Sequence, residues 1–322
     1  MQAKLQRRIQ RYGWDKAVDV YEHHWQQQLA PAQTRLLEMA AIRPGERVLD
    51  VACGTGLVTC HVARQVGKRG TVVGVDVAGK MVAYAQHVAA THRLRQVTWA
   101  RMDAEELLLP NGTFDVALCA LGLMYVPHPV KALQEMHRVL KPGGRAVAAV
   151  WGQRQRCGWA DIFPIVDARV TTEVCPLFFH LGTHDMLAQT FAAAGFEHMV
   201  SDRLSTLLAY ASPEEACGAA FAGGPVALAY SRFDASTRAE VHAEYLASIA
   251  PYRLGNRYEI PGEFVIVIEG ASRVDGPSDD DLVAALRGHI NGGSTKRDAV
   301  MAVVDELAVA KRRVYDLANR LG

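Results

Sequence analysis

A glycine-containing turn after a short apolar run constrains the fold of this chain more than any other stretch. Arg47–Val51 is mostly apolar and contains Asp50, and Cys53-Gly54-Thr55-Gly56 follows it closely. A helix-like segment comes next, from Leu57 to Val66. Strand, tight turn and helix in this order let backbone N–H groups approach a ligand, because glycine has no side chain in the way. The stretch therefore predicts the ligand-binding turn of an α/β sheet.

The segments after this turn repeat the pattern of short apolar strand and helix. Strands are predicted at residues 70–76, 96–101, 114–120 and 145–151, with helices at 79–91 and 129–140. Such alternation favours a parallel sheet with helices on both faces, and ligands then bind at the carboxyl ends of the strands. Asp50, Asp76 and Asp103 fall at three successive strand ends, which indicates a shared site.

These acids narrow the class of ligand. A dinucleotide-binding turn would have a third glycine where Thr59 stands, and a phosphate-binding loop would have Lys and then Ser or Thr after its second glycine. A buried carboxylate at Asp50 would repel a pyrophosphate but could hold an ammonium group. Asp76 has nearly the spacing of the acid that binds ribose hydroxyls in nucleoside-binding folds. We therefore expect a ligand with a ribose, an adenine-like ring and a cationic tail.

Four motifs in this order carry a family resemblance: Asp50 to Gly56, Asp76, Met102-Asp103-Ala104 and Lys141-Pro142-Gly143-Gly144. Over about residues 10–268 the chain resembles class I S-adenosylmethionine-dependent methyltransferases, especially the bacterial quinone-biosynthesis C-methyltransferase group. The resemblance implies an α/β fold with a doubly wound, mostly parallel, seven-stranded Rossmann-like sheet. It also implies S-adenosylmethionine as cofactor, S-adenosylhomocysteine as product, and no metal. Ala52 departs from the glycine that many members carry.

The resemblance also assigns cofactor contacts by position. Asp50, Gly54 and Gly56 would line the methionine and ribose portion. Asp76 would accept both ribose hydroxyls, Asp103 would accept the adenine amino group, and the backbone from Ala120 to Leu123 would border the sulfonium. The full set of expected cofactor-binding residues is Asp50, Ala52, Gly54, Thr55, Gly56, Asp76, Val77, Met81, Met102, Asp103, Ala104, Ala120 and Leu121. The alternatives are a generic tight turn for Asp50 and Gly54, and a surface acid for Asp103.

The methyl acceptor is predicted from the parts outside these motifs. Residues 1–45 read as a helical cover in which Pro31 separates two helices, and insertions at 152–182 and 212–250 carry apolar and aromatic residues. These insertions would form the pocket for a small, apolar or aromatic acceptor within a domain of residues 1–270. Later elements are expected as a helix at 183–194 capped by Thr183, and strands at 196–208 and 262–268.

A sulfonium methyl group is a strong electrophile, so positioning for in-line displacement can supply much of the rate. A general base is needed only if the acceptor must lose a proton. The candidate bases, each of which could instead be structural, are Tyr21, His23, His24, Tyr125, His128 and His180. Tyr21 and His180 are the predicted catalytic residues, because their surroundings are aromatic.

The last segment, residues 271–322, lies outside the predicted sheet. Helices are expected at about 279–289, 295–307 and 310–321 after an acidic linker. Residues 262–271, 295–300 and 314–318 resemble the helical C-terminal module of bacterial ribosomal-RNA ribose 2′-O-methyltransferases of the tetrapyrrole-methylase type. From Ser272 onward the sequence has eight basic and eight acidic residues, so their charges cancel. This balance favours docking or dimerisation over RNA binding. An RNA methyltransferase targeted by this tail stays an alternative, as does a non-catalytic S-adenosylmethionine-binding sensor.

Composition sets the remaining limits. The 322 residues carry a net charge of +1, which gives no overall electrostatic case for nucleic acid or an anionic membrane. Six scattered cysteines, without a C-x-x-C pair, favour a reducing compartment without structural zinc. Residues 1–10 lack the apolar run of a secretory signal, and no window approaches eighteen apolar residues. A cytoplasmic protein is therefore predicted.

Overall fold

The apolar runs of the sequence form strands in the computed structural model, which describes residues 3–171, 175, 177–270, 279–307 and 311–320. The chain divides into two units, Met1–Ala271 and Ser272–Gly322. The strands of the described residues all lie in the first unit. They are β1 (Arg47–Val51), β2 (Thr71–Asp76), β3 (Val97–Arg101), β4 (Phe114–Ala120), β5 (Leu140–Trp151), β6 (Met199–Tyr210), β7 (Arg253–Leu254) and β8 (Arg257–Gly270).

Helices flank these strands. In the first unit they are α1 (Ala3–Ala40), α2 (Leu57–Val66), α3 (Gly79–Thr91), α4 (Pro129–Val139), α5 (Ile162–Asp167), α6 (Met186–Ala193), α7 (Pro213–Cys217), α8 (Ala227–Tyr230) and α9 (Ala235–Ser248). A π-helical turn, Gly218–Ala222, follows α7. Among the described residues, none of the helices has the length and apolar character needed to cross a membrane.

The strands make one sheet in the order β3-β2-β1-β4-β5-β8-β6, and β7 pairs with β8. Strands β1 to β5 run parallel, whereas β8 is antiparallel to β5 and β6 is antiparallel to β8. The predicted fold class, a Rossmann-like, mostly parallel sheet, is confirmed, and the two-residue β7 adds an eighth strand within the described residues. Strand order reverses between β1 and β4, so a ligand is expected at the carboxyl ends of these two strands.

The central strands are fully buried, as expected for parallel strands covered on both faces. Their side chains at 0% exposure are Val48, Leu49, Val51, Val116, Ala117, Leu118, Ala146, Val147, Ala148, Ala149 and Val150. This packing fixes the strand ends, and with them the acids at those ends.

The N-terminal cover is one helix, so the predicted break at Pro31 was wrong. Pro31 lies inside α1, where a proline costs about 3 kcal/mol through its missing N–H and its ring. Leu29 and Leu36, on either side of it, are buried in the core, and each such burial stabilises by roughly 1.5–3 kcal/mol. Gln27, whose carbonyl loses its helical donor, is exposed to water. Tertiary packing therefore outweighs the local penalty.

Several predicted starts also differ from the structure: β5 begins at Leu140 rather than at residue 145, and β6 at Met199 rather than at residue 196. Helix α6 begins at Met186 rather than at residue 183, and the Thr183 hydroxyl donates to the Phe179 carbonyl over 2.9 Å instead of capping the helix. Strand β8 begins at Arg257 rather than at residue 262 and includes Pro261. Pairing with β5 ends at Phe264. At Pro261 only β6 lies alongside β8, so the N–H group that proline lacks is not needed for a hydrogen bond to a second strand.

The second unit consists of α10 (Asp279–Asn291), α11 (Lys296–Leu307) and α12 (Lys311–Arg320). The three helices share an apolar core of Leu282, Leu286, Ala299, Val300, Val303, Val314, Leu317 and Ala318. The Asp298 N–H donates to Thr295 Oγ1 over 3.2 Å at the start of α11. The predicted C-terminal helices are therefore present.

Candidate active site

A cavity lies at the carboxyl ends of β1, β2 and β4, at the predicted reversal of strand order. Its lining includes Arg7 and the expected cofactor residues Ala52, Gly54, Asp76, Val77, Met81, Met102, Asp103, Ala104, Ala120 and Leu121. A smaller adjoining cavity is lined by Asp50 and Thr55 and shares Ala52, Gly54 and Ala120 with it. The structure thus brings together acids from three successive strand ends.

The turn after β1 depends on left-handed backbone conformations. Gly54 and Gly56 have φ angles of 55° and 87°, and Ala52 has a φ of 57°. The Gly54 N–H donates to Asp76 Oδ2 over 2.9 Å, and the Ala78 N–H donates to Asp76 Oδ1 over 2.8 Å. Asp76 therefore ties the turn to the end of β2. Each carboxylate oxygen keeps a lone pair for a further donor.

Asp50 is almost completely buried, at 1% exposure. Its Oδ2 accepts a hydrogen bond from the Thr59 hydroxyl over 2.5 Å, whereas its Oδ1 has no partner among the described residues. Burial, with a smaller contribution from nearby Asp76, raises the pKa of Asp50 to about 7. The hydroxyl of Thr55 is also buried without a partner among the described residues. Orphaned carboxylate and hydroxyl oxygens fit a donor group of a ligand, and a cationic one best.

Asp103 follows β3 and faces the N-terminal part of α1. Its Oδ1 accepts from the Glu105 N–H over 2.9 Å, and its Oδ2 lies 3.0 Å from Arg7 Nε. Arg7 also pairs through a second nitrogen with Glu105, which is buried. The first turns of α1 are thereby joined to the cavity next to Asp103, a contact that the sequence analysis missed.

The backbone after β4 passes very close to the turn after β1. Leu121 has a φ of 64°. A Cβ atom added at Gly122 would lie 2.4 Å from Ala52 Cβ and 2.9 Å from Cys119 Sγ. Gly122 lines the cavity, so this glycine is required by close approach. Gly122 lies within the segment from Ala120 to Leu123 that was expected to border the sulfonium, but the need for glycine there was not predicted.

The same cavity is also lined by aromatic residues. Its ring-bearing residues are Trp14, Tyr21, Trp25, Tyr125, Trp151, Trp159 and Phe178, and we call this set the aromatic wall. Trp151 and Trp159 have ring centroids 4.8 Å apart, and Phe178 lies 5.6 Å from Trp159 and 5.5 Å from Tyr125. Both predicted insertions reach the cavity, the first through Trp159 and Phe178 and the second through Gly224 and Pro225.

Comparison with known proteins points to the part of the chain that contains the strand-end acids. Residues 48–144 match the model of a family described as a methyltransferase domain. These residues are therefore similar to a methyltransferase domain, and the rest of the chain lies outside the match. The matched residues run from the second residue of β1 to the first half of β5, which includes Asp50, Asp76 and Asp103.

Individual curated proteins are also similar to part of this chain. A ubiquinone/menaquinone biosynthesis C-methyltransferase of Teredinibacter turnerae is 40% identical over 120 residues, which cover 37% of this chain and 48% of that protein. A demethylmenaquinone methyltransferase of Lysinibacillus sphaericus is 36% identical over 123 residues, covering 38% and 52%. The chain thus spans about half the length of these curated relatives. The crystal structure of a putative methyltransferase from Bacillus halodurans has a TM-score of 0.53 at 19% identity, covering 74% of this chain and 98% of that one, and shows the same fold.

One predicted cofactor residue, Gly56, lines neither the main cavity nor the smaller adjoining one. A Cβ at Gly56 would lie 2.8 Å from Trp99 Cη2 and 3.1 Å from Ala85 Cβ. Gly56 therefore packs against β3 and α3, and it lines a separate cleft between α1, α2 and α3. Its φ and its neighbours both require glycine, whether or not it contacts a ligand.

Two of the six candidate bases line the main cavity. Tyr21 and Tyr125 line the cavity. Burial raises the pKa of both phenols, with nearby Asp76 adding to the effect at Tyr21, so both are neutral near pH 7. His180 is exposed and lies outside the cavity lining. The described lining of this cavity also leaves out His23, His24 and His128.

Proposed function

We propose that this chain transfers the methyl group of S-adenosylmethionine to a small, ring-bearing acceptor held against the aromatic wall. The carrying observation is that one cavity is lined both by strand-end carboxylates and by the aromatic wall. A cationic nucleoside suits the carboxylates and an apolar or aromatic molecule suits the wall.

The residues at the carboxyl ends of β1, β2 and β3 fit this cofactor. Asp50, with its orphaned Oδ1, would accept from the ammonium group of the methionine portion, and Thr55 has an orphaned hydroxyl beside it. Asp76 would accept the ribose hydroxyls with the lone pairs that the Gly54 and Ala78 N–H groups leave free. Asp103 would accept the adenine amino group, with Met102 and Ala104 against the ring.

When bound, S-adenosylmethionine supplies an electrophilic methyl group on a sulfonium. The contribution of the chain is to orient the acceptor and to exclude water, which is how positioning accelerates a displacement. Tyr21 and Tyr125, whose phenols are held neutral, would act as hydrogen-bonding groups rather than as bases. The acceptor would then be nucleophilic as bound, without a histidine of this chain to deprotonate it.

The chemistry of the acceptor is inferred from the wall and from the relatives. One relative is named a ubiquinone/menaquinone biosynthesis C-methyltransferase and another a demethylmenaquinone methyltransferase. A flat aromatic ring is the shape that indoles and phenyl rings bind well. We therefore propose a quinone-type or phenolic ring as the acceptor class. The tail, with its balanced charge, is proposed to serve docking or self-association.

Incubation with labelled S-adenosylmethionine and a panel of phenols and quinols tests this function through release of S-adenosylhomocysteine. Asp76→Asn is the matched control, since it keeps the shape of the side chain but weakens ribose binding. Release that requires an acceptor and is lost in the control supports the proposal. Cofactor binding without turnover on any acceptor would favour a sensor, and methylation of ribosomal RNA instead of the panel would favour an RNA enzyme.

A further inference from the structure

We propose that the indole N–H groups of Trp25 and Trp159 recognise an oxygen atom on the acceptor ring and so determine acceptor specificity. This inference rests on the proposed function for the placement of the acceptor at the aromatic wall. It assigns a polar recognition step to a surface that composition alone describes as apolar.

Both indoles are deeply buried and both line the cavity. Trp25 is 6% exposed and Trp159 is 4% exposed. Neither Nε1 atom has a hydrogen-bond acceptor among the described residues, and neither is open to solvent. Their ring centroids are 6.2 Å apart, and Trp151 lies 6.1 Å from Trp25 and 4.8 Å from Trp159. Two unpaired donors therefore occur in one cluster of three indoles.

Buried donors without a hydrogen-bond partner are rare and destabilising, so the occurrence of two of them in one ligand cavity calls for an explanation. An indole N–H can only donate. It therefore interacts favourably with a carbonyl, hydroxyl or phenolate oxygen and gains nothing from a hydrocarbon edge. The apolar surroundings of these two rings strengthen such a bond and make its absence more costly.

The edge of Trp25 packs closely against glycine backbone of the insertion. A Cβ added at Gly223 would lie 3.1 Å from Trp25 Nε1, and one added at Gly224 would lie 3.9 Å from Trp25 Cζ2. Gly224 and Pro225 line the cavity. The insertion thus passes the indole edge with backbone only, and no side chain of these two glycines covers the N–H group.

The same donors fit an acceptor that reacts as an anion. Tyr21 and Tyr125 line the cavity as neutral phenols, so they do not remove a proton from the acceptor. Two N–H donors on a phenolic oxygen would favour binding of the phenolate, which forms when the phenol loses its proton to bulk water and carries electron density on ring carbons as well as on oxygen. The acceptor class that follows is an aromatic ring with an ionisable hydroxyl group.

The test compares two probes of the same ring size, 1-naphthol and naphthalene, binding to the full-length protein saturated with S-adenosylhomocysteine. Trp25 and Trp159 are each replaced by β-(3-benzothienyl)alanine, which keeps the ring shape and removes the N–H group. The same replacement at Trp99, which packs against Gly56 and Gly74, is the control. The measured quantity is the ratio of the two dissociation constants.

We expect the wild type to prefer 1-naphthol by roughly tenfold or more, since one hydrogen bond of ordinary strength corresponds to about that factor. Replacement at residue 25 or 159 should reduce the preference about tenfold while naphthalene affinity holds, and the Trp99 control should keep the preference. A second variant, Gly223→Ala, should also reduce the preference by crowding Trp25 Nε1. A preference that survives both replacements overturns the inference, as does a wild type with no preference.

The outcome is independent of turnover. A protein that shows the preference and its loss but never releases S-adenosylhomocysteine supports the donor role while refuting the proposed methyl transfer. A protein that methylates phenols with unchanged selectivity in both indole replacements refutes the donor role alone.

Discussion

Gly122 allows the construction of the site to be tested by a double-mutant cycle. Its φ of −104° is ordinary for any residue, so the requirement for glycine comes from space. A methyl group at this position would lie 2.4 Å from Ala52 Cβ and 2.9 Å from Cys119 Sγ. Because the first contact joins two backbone-fixed atoms, the chain after β4 or the turn after β1 must shift. We expect Gly122→Ala to destabilise the first unit and weaken cofactor binding.

The magnitude follows from two opposing effects. Overpacking of this kind costs about 1–3 kcal/mol, whereas a Gly→Ala change at a permitted φ returns roughly 0.4–1 kcal/mol through the unfolded chain. The expected net loss in the free energy of unfolding is about 1–2 kcal/mol. Ala52→Gly should be nearly neutral alone, because relief of the left-handed φ at 57°, worth about 1 kcal/mol, is offset by the flexibility of glycine.

In the Ala52→Gly background the main clash is absent, and Cys119 can move its sulfur by rotation. Gly122→Ala should then cost less than about 0.5 kcal/mol, which gives a coupling energy of about 1–1.5 kcal/mol between the two positions. Gly79→Ala is the control, since its Cβ would make only an ordinary contact of 3.6 Å with Arg101. It should be neutral in both backgrounds.

Urea unfolding followed by tryptophan fluorescence measures these free energies. All five tryptophans lie in the unit Met1–Ala271, so the signal reports that unit. Titration with S-adenosylhomocysteine gives the parallel effect on binding. If Gly122→Ala costs the same in the wild type and in the Ala52→Gly background, the two positions are independent and the proposed steric reason for Gly122 is refuted.

Three further predictions concern the same unit. Since the pKa of Asp50 is raised to about 7 from 3.8, its carboxyl destabilises the ligand-free fold as pH rises from about 4 to 7, and affinity for the cationic cofactor should fall about tenfold per pH unit below 7. Asp50→Asn should remove that part of the slope in calorimetric titrations, and an unchanged slope would contradict it. Tyr21→Phe should lower kcat by about tenfold or less in the S-adenosylhomocysteine release assay, whereas loss of a true general base would cost about 10²–10⁴-fold. Deleting residues 272–322 should leave S-adenosylhomocysteine affinity within about twofold by calorimetry, because the site residues all lie in Met1–Ala271; a larger loss would show that the tail supports the site.

The sheet could be predicted from sequence because its strands are short, apolar and locally bounded. Phe114–Ala120 was predicted with the bounds that the structure shows, since acid-rich and glycine-rich stretches delimit it. The same local rules failed at Pro31 and Pro261. At both positions proline lacks a backbone N–H group, but a neighbouring element decides the cost in stability. Core packing outweighs the cost at Pro31, and the cost is small at Pro261 because β5 has already ended there.

The acids of the site were predictable for a related reason. Asp50, Asp76 and Asp103 lie at strand ends, so the order of strands alone brings them to one edge. Arg7 was not predictable, because it contacts Glu105 across 98 residues of sequence through a helix whose placement depends on packing. The aromatic wall is of the same kind, since its rings come from α1, the end of β5 and the segments that follow β4 and β5.

Ala52 and Gly122 show why a local motif is incomplete even where it is correct. The turn after β1 has alanine where many members of the family have glycine, and considered alone this looks like a tolerated small substitution. The structure shows that the methyl group of Ala52 occupies the space where a side chain at residue 122 would stand. The space between the ends of β1 and β4 therefore holds one side chain, either at position 52 or at position 122, but not both. The choice at position 52 is thus coupled to a position about seventy residues later, in the segment after β4. Variation in the turn after β1 can in this way constrain the backbone after β4 without any change in Asp50, Asp76 or Asp103.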